Sequence, residues 1–194
     1  MRLFSLKTLL VCTALASCLG MVSAQAASKA KPAPKPAVQK VAMLGGKFAF
    51  TLPKDYVKGP MEEIDAKARA AGVTGSLYMN KPAKRVVIIT EAPLPNDQKV
   101  GANDKQTLDG IIADTLQQQQ ASYKDFKKLG EKKIVRKGLG MRQLDISGSV
   151  DGGRVLSTTI TAAYGKRTAM VNVISLAKDA KAHAEVVKGV TGGK

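Results

Sequence analysis

Tryptophan is absent, histidine occurs once, at His183, and cysteine twice, at Cys12 and Cys18. Aromatic residues make up 4% of the 194-residue chain, and acidic residues are outnumbered 31 to 15 by lysine and arginine. Each shortage excludes something. One histidine and two N-terminal cysteines cannot assemble a zinc site of clustered thiolates and imidazoles. They cannot supply a disulfide framework either. A histidine-activated nucleophile would have to use His183, whose setting Lys181-Ala182-His183-Ala184-Glu185 reads as an exposed helical histidine beside a glutamate. Gly138-Leu139-Gly140 and Gly152-Gly153 lack the Gly-Lys-Ser/Thr context of a phosphate loop. No catalytic residues, metal or cofactor are implied. The length fits a single domain with a sizeable core, and the net charge is +16.

The chain opens MRLFSLK, with Arg2 and Lys7 and no acid, then runs uncharged through TLLVCTALASCLGMV to SAQA. A basic start, a short apolar stretch and Ala24-Gln25-Ala26 form a secretory signal peptide over residues 1–26. The stretch is shorter than the roughly 20 apolar residues of a membrane-spanning helix. A second cleavage signal overlaps the first. Leu15-Ala16-Ser17-Cys18 matches a bacterial lipobox, in which Cys18 is acylated and becomes the mature N-terminus. Cleavage after Ala26 gives a free periplasmic protein; cleavage before Cys18 gives one anchored to a membrane as a lipoprotein. Neither leaves a pair of cysteines. Residues 27–40 follow as a linker rich in Lys, Pro and Ala, unable to form a core and biased toward an extended spacer.

The domain is expected over residues 41–194. Lys47 to Leu52 alternates, with Phe48, Phe50 and Leu52 on one side, and Gly45-Gly46 marks a hairpin turn to Val41–Leu44. Gly59 to Ala71 has helix punctuation: Pro60 early, acids before Lys67 and Arg69, and Gly72 as the stop. Ser76–Asn80 and Arg85–Thr90 read as a strand pair, and Val86-Val87-Ile88-Ile89 is apolar on both faces. Glu91–Asp104 reads as a loop. Thr107–Phe126 reads as a long helix with Leu108, Ile111, Ile112, Thr115, Leu116, Tyr123 and Phe126 in one stripe, and Gln117–Gln120 as its solvated continuation.

From Leu129 the period becomes two. Gly130–Lys137, Leu139–Val150, Arg154–Tyr164 and Arg167–Leu176 are expected strands joined by short turns. The apolar phase flips between Met141 and Leu144, which suggests a bulge, and Asp145 beside it is a candidate functional carboxylate where buried, the alternative being a surface or turn-paired aspartate. Ala177–Val190 closes the chain as a helix. The fold class is therefore α+β, an antiparallel sheet sandwiched between helices.

One cluster suggests a partner. Lys124, Lys127, Lys128, Lys132, Lys133, Arg136, Lys137 and Arg142 lie close together against only Asp125 and Glu131. They read as a face for an anionic surface, a phospholipid or glycan phosphate or an acidic envelope protein. Lysine on an exposed strand also guards a sheet edge, so solubility is the competing role. Export and the shortage of stacking aromatics argue against nucleic acid.

Leu44-Gly45-Gly46-Lys47-Phe48-Ala49-Phe50-Thr51-Leu52-Pro53 resembles the opening strand of the DcrB family of bacterial envelope proteins, and Met141-Arg142-Gln143-Leu144-Asp145 resembles a later strand of that family. The order of elements between them agrees, and the resemblance covers most of residues 41–176. It implies a PsbP-like α/β/α sandwich and a non-catalytic, periplasm-facing protein, membrane-tethered where Cys18 is lipidated. Leu19 stands where the familiar form has an aspartate after the lipid cysteine. The alternatives are a soluble periplasmic module for anionic glycan or lipid, and an uncharacterised hydrolase, which a cleft with perturbed carboxylates would favour.

Overall fold

The computed structural model describes residues 38–193. The signal peptide, Cys18 and residues 27–37 of the linker lie outside the described residues. Two strands come first, β1 (Val38–Met43) and β2 (Phe48–Pro53), which form a separate two-stranded sheet in antiparallel register, Val41 opposite Phe50. Then come β3 (Val57–Gly59), α1 (Ala66–Ala70), β4 (Thr74–Asn80), β5 (Arg85–Pro93), α2 (Lys105–Ser122), β6 (Lys124–Arg136), β7 (Leu139–Val150), β8 (Gly153–Tyr164), β9 (Arg167–Leu176) and α3 (Ala180–Thr191). The last seven strands form one antiparallel sheet in the order β3-β4-β5-β9-β8-β7-β6.

Both faces of this sheet are covered, which is why its central strands are apolar on both sides. On one face the β1–β2 hairpin and α3 close a core of Phe48, Phe50, Leu52, Val87, Met141, Ile160, Val171, Val173, Val186 and Val190. On the other, α2 and the segment through α1 cover Val86, Ile88, Leu144, Ile146, Val155 and Ile174. Under α2 the interface is polar: Thr115, Gln119, Ser157, Thr159, Thr161 and Asn172 are all buried. Gln119 Nε2 donates to Thr159 Oγ1 at 2.7 Å, so this glutamine is not part of a solvated face.

Several expectations need correction. The helix expected over Gly59–Ala71 is only the five residues of α1, with Asp65 accepting from Ala68 N at its start. Pro60 precedes it, and Gly59 ends an edge strand. Too few apolar side chains were available to dock a longer helix. The strand β5 runs on to Pro93, into the expected loop. The long helix stops at Ser122, and Phe126 belongs to β6. Ile111 is only partly buried, while Leu108 is fully buried.

The bulge expected near Met141 is also misplaced. The register of β7 against β8 is unbroken from Met141 to Val150, and the irregularities lie in β6, between Lys124 and Lys127 and between Lys128 and Gly130. The phase flip in β7 has a simpler cause. Met141 packs in the α3-side core and Leu144 in the α2-side core, so the strand is buried on both faces.

The turns joining β6 to β7 and β7 to β8 follow their residues. Lys137-Gly138 and Asp151-Gly152 all have positive φ, as two-residue hairpin turns of the right twist require. Glycine serves a different purpose at Gly148, where a Cβ would sit 2.8 Å from Tyr123 Cβ and 3.1 Å from the Lys124 carbonyl. Gly148→Ala is expected to lower stability by about 1–3 kcal/mol through overpacking. Gly110→Ala on α2, where a Cβ meets nothing within 4 Å, is expected to raise stability by about 0.5–1 kcal/mol. Opposite shifts of the urea midpoint check the pair.

Candidate functional site: a basic sheet edge and a polar cleft

The basic cluster expected from the sequence falls mainly on β6, the terminal strand of the large sheet, with 13 residues, none of them buried. No described strand pairs with its outer side. Side chains of a strand alternate between faces, and this divides the cluster. Lys132 and Arg136 stand opposite Gln143 and Leu139 on the face carrying α3, whereas Lys133 stands opposite Arg142 on the face carrying α2.

The eight residues are not equivalent. Lys128 Nζ is 2.7 Å from Glu131, and Lys133 Nζ is 3.3 Å from Asp109 of α2. Arg136 Nη1 donates to the Val190 carbonyl at 3.2 Å, near the C-terminal end of α3, where carbonyls lack helical partners. Arg142 must be removed from the surface cluster. Its side chain is 2% exposed, and its Nε donates to Asp109 Oδ1 at 2.6 Å. A guanidinium at that depth needs a carboxylate partner, which α2 supplies. The hydrogen bond from Arg142 holds the Asp109 carboxyl below the usual aspartate range, with help from Lys133. Of these eight, the exposed ones with no ion pair among the described residues are Lys124, Lys127, Lys132 and Lys137.

Lys132 also lines an open cleft of about 320 Å³ between the β6 side of the sheet and α3, together with Gln143, Asp145, Thr158, His183, Val187 and Lys188. His183 is not the exposed helical residue its sequence neighbours suggest. His183 is 6% exposed. It shares the stripe of Val186, Val187 and Val190, at steps of three, four and seven, and faces the sheet. Glu185 points away, into solvent.

A chain of hydrogen bonds crosses three strands and the helix. Gln143 Nε2 donates to both oxygens of Asp145, at 2.9 and 2.8 Å. Thr158 Oγ1 donates to Asp145 Oδ1 at 2.7 Å. His183 Nε2 lies 2.9 Å from Thr158 Oγ1, and its Nδ1 lies 3.1 Å from Ser175 Oγ. Since the threonine proton is given to the carboxylate, the arrangement assigns the histidine proton to Nε2 and leaves Nδ1 to accept from Ser175. Burial pushes the His183 pKa down, the Asp145 charge offsets part of this, and Arg85 adds to the lowering.

The sequence singled out Asp145 and His183 separately, and the fold joins them through Thr158. The order of groups is reminiscent of a hydrolytic triad, but the access is wrong for one. Ser175 is 1% exposed and Thr158 2% exposed, and both hydroxyls are engaged. A nucleophile must reach its substrate within bonding distance. The chain instead fastens α3 to β7, β8 and β9. No group of three or more metal-ligating side chains occurs among the described residues. No described helix is long and apolar enough to cross a membrane.

No family model matches the sequence, and neither does any curated protein. Solved structures do match in three dimensions. The chain is similar to the cyanobacterial PsbP, CyanoP, of Synechocystis sp. PCC 6803, with a TM-score of 0.52 and 8% identity over 84% of this chain and 96% of that one. It is also similar to LpqN of Mycobacterium tuberculosis, described as involved in cell envelope biogenesis, with a TM-score of 0.46 and 14% identity over 80% and 88%. A third match is PA94 of Pseudomonas aeruginosa, with a TM-score of 0.43 and 11% identity over 78% and 91%. The antiparallel sheet between helical layers is thus a PsbP-like fold, as expected from the sequence.

Proposed function

We propose that this chain is an exported bacterial envelope protein of the DcrB type that works by binding, without catalysis, and engages an anionic partner along β6. The observation that carries this reading is the open edge of β6, with Lys124, Lys127, Lys132 and Lys137 exposed and unneutralised. The signal-peptide pattern of residues 1–26 supports an extracytoplasmic location, and the lipobox at Cys18 supports a membrane tether. The intact mass of the mature protein tests the tether: a diacylated N-terminal Cys18 supports it, and a chain beginning at Ala27 gives the soluble form instead.

Binding is tested with the purified mature chain, vesicles containing anionic phospholipid, and a soluble polyanion such as heparin. The chain is expected to bind at low salt and release as salt rises, since the Debye length falls to about 8 Å at 0.15 M. Replacing Lys124, Lys127, Lys132 and Lys137 with glutamine leaves the ion pairs of Lys128 and Lys133 intact. Four basic charges are worth well over about tenfold in affinity for an anionic surface. The variant should therefore lose binding while its urea midpoint stays put. A wild-type chain that ignores vesicles, heparin and acidic peptide alike at low salt overturns the reading.

A further inference from the structure

We propose that the partner at this edge is an acidic, extended segment of another protein, which joins the large sheet antiparallel to β6 as an eighth strand. The inference rests on the reading of β6 as the binding surface and names what binds there.

Four features of β6 carry it. First, the segment from Gly130 to Arg136 is regular. It pairs with Asp145 to Leu139 without a register break and contains no proline, so its outer backbone groups form a continuous template. At about 3.3 Å per residue it spans on the order of 20 Å, the reach of an ordinary strand. The opposite edge of the sheet is the three residues of β3, too short for the same purpose.

Second, the basic side chains leave the edge on both faces. Lys132 lies on the α3 face and Lys133 on the α2 face. A flat bilayer meets one plane, whereas a strand presents alternate side chains to both faces, answering the unpaired Lys132 on one and sharing the exposed Lys133 with Asp109 on the other. Third, Val135 is 64% exposed on this strand and Leu129 51%. Large apolar side chains are a liability on an open edge and a seat for a cross-strand neighbour on a paired one. Fourth, the net charge of the strand disfavours a second copy of this chain. The strand carries Lys124, Lys127, Lys128, Lys132, Lys133 and Arg136 against Asp125 and Glu131, so edge-to-edge pairing with itself brings two net-basic strands together, whereas an acidic strand complements it.

Register then gives the recognition pattern. An antiparallel partner meets Val135, Ile134, Lys133 and Lys132 in its own chain direction, which calls for an aliphatic residue, any residue, and two consecutive acids. Main-chain hydrogen bonds supply affinity, and the acids and the aliphatic residue supply selection.

The probe is a synthetic peptide of that form, flanked by threonines and titrated into the full mature chain. Controls are the same peptide N-methylated at alternate backbone nitrogens on its pairing side, and one with lysines in place of the acids. The unmethylated peptide is expected to bind about tenfold or more tighter than the methylated one, the worth of one or two main-chain hydrogen bonds. The lysine peptide should not bind. Lys132→Gln and Val135→Thr, both at exposed positions, should each weaken binding without moving the urea midpoint. Equal affinity for the methylated and unmethylated peptides overturns strand addition while leaving an anion-binding edge. Binding to anionic vesicles with none to the peptide also overturns it and makes lipid the partner. Binding to neither peptide, vesicles nor heparin overturns the inference together with the reading beneath it.

Discussion

Ile160→Ala is expected to destabilise the domain by about 2–5 kcal/mol, the usual range for emptying a core position of a large aliphatic side chain. Ile160 is fully buried in the central strand β8, opposite Gln143 of β7 and Val171 of β9, and belongs to the core closed by α3 and the β1–β2 hairpin. Neighbours on three elements limit how far the site can collapse around the cavity. Gln118→Ala, on the exposed side of α2, should change stability by less than about 0.5 kcal/mol. Urea midpoints compare the two. An Ile160→Ala midpoint indistinguishable from that of Gln118→Ala would mean that the hairpin and α3 do not close this face.

The second large effect centres on His183. His183→Ala removes the ring that fills the space under α3 and strips Thr158 and Ser175 of their shared partner, at a cost of roughly 2–4 kcal/mol near pH 7.5. Wild-type stability should also fall on mild acidification. Burial holds the folded pKa of His183 below its ordinary 6.5, with Asp145 opposing the shift and Arg85 reinforcing it. The unfolded chain therefore takes up the proton first as pH drops. The stabilisation is fully present above about pH 6.5 and is lost as pH falls from there toward the folded pKa. Asp104 and Asp109 also have lowered pKa values, but their stabilisation is lost only below the ordinary aspartate range, so the two windows separate. His183→Gln, which keeps a donor and an acceptor, should flatten the slope below pH 6.5 without affecting the acid limb. An unchanged slope in that variant would place the titrating group elsewhere.

Where local pattern and burial agree, the sequence is legible. The bounds of β7 and β9 match the expected strands: β7 is framed on both sides by turns with glycine at a positive-φ position, Gly138 and Gly152, and β9 opens after another, at Gly165. The two-layer cover follows from Val86-Val87-Ile88-Ile89, which no one-sided sheet explains. Legibility fails where tertiary contacts decide. Pro60 and the acids after it mimic a helix start, but only Met61, Ile64 and Ala68 find a place in the core there, and the chain forms an edge strand and a single turn of helix instead. In β7, Met141 and Leu144 suggest a bulge only if one face is assumed to be wet.

The site follows the same rule. The basic residues of β6 are visible as a cluster, but nothing local distinguishes Arg142, buried against Asp109, from Lys132, exposed over the cleft. The burial of His183 does have a local signal: its spacing to Val186, Val187 and Val190 puts it on the apolar stripe of α3. Its link to Asp145 through Thr158 joins residues from three elements and has no local trace.

Binding through the outer edge of β6 is open to a direct check by amide hydrogen exchange of the mature chain with and without a bound anionic partner. New protection is expected over Gly130 to Arg136, at amides that are open in the free protein, with α2 and the His183 cleft unchanged. Protection centred instead on the cleft of Asp145, Thr158 and His183, with β6 exchanging as before, would contradict it.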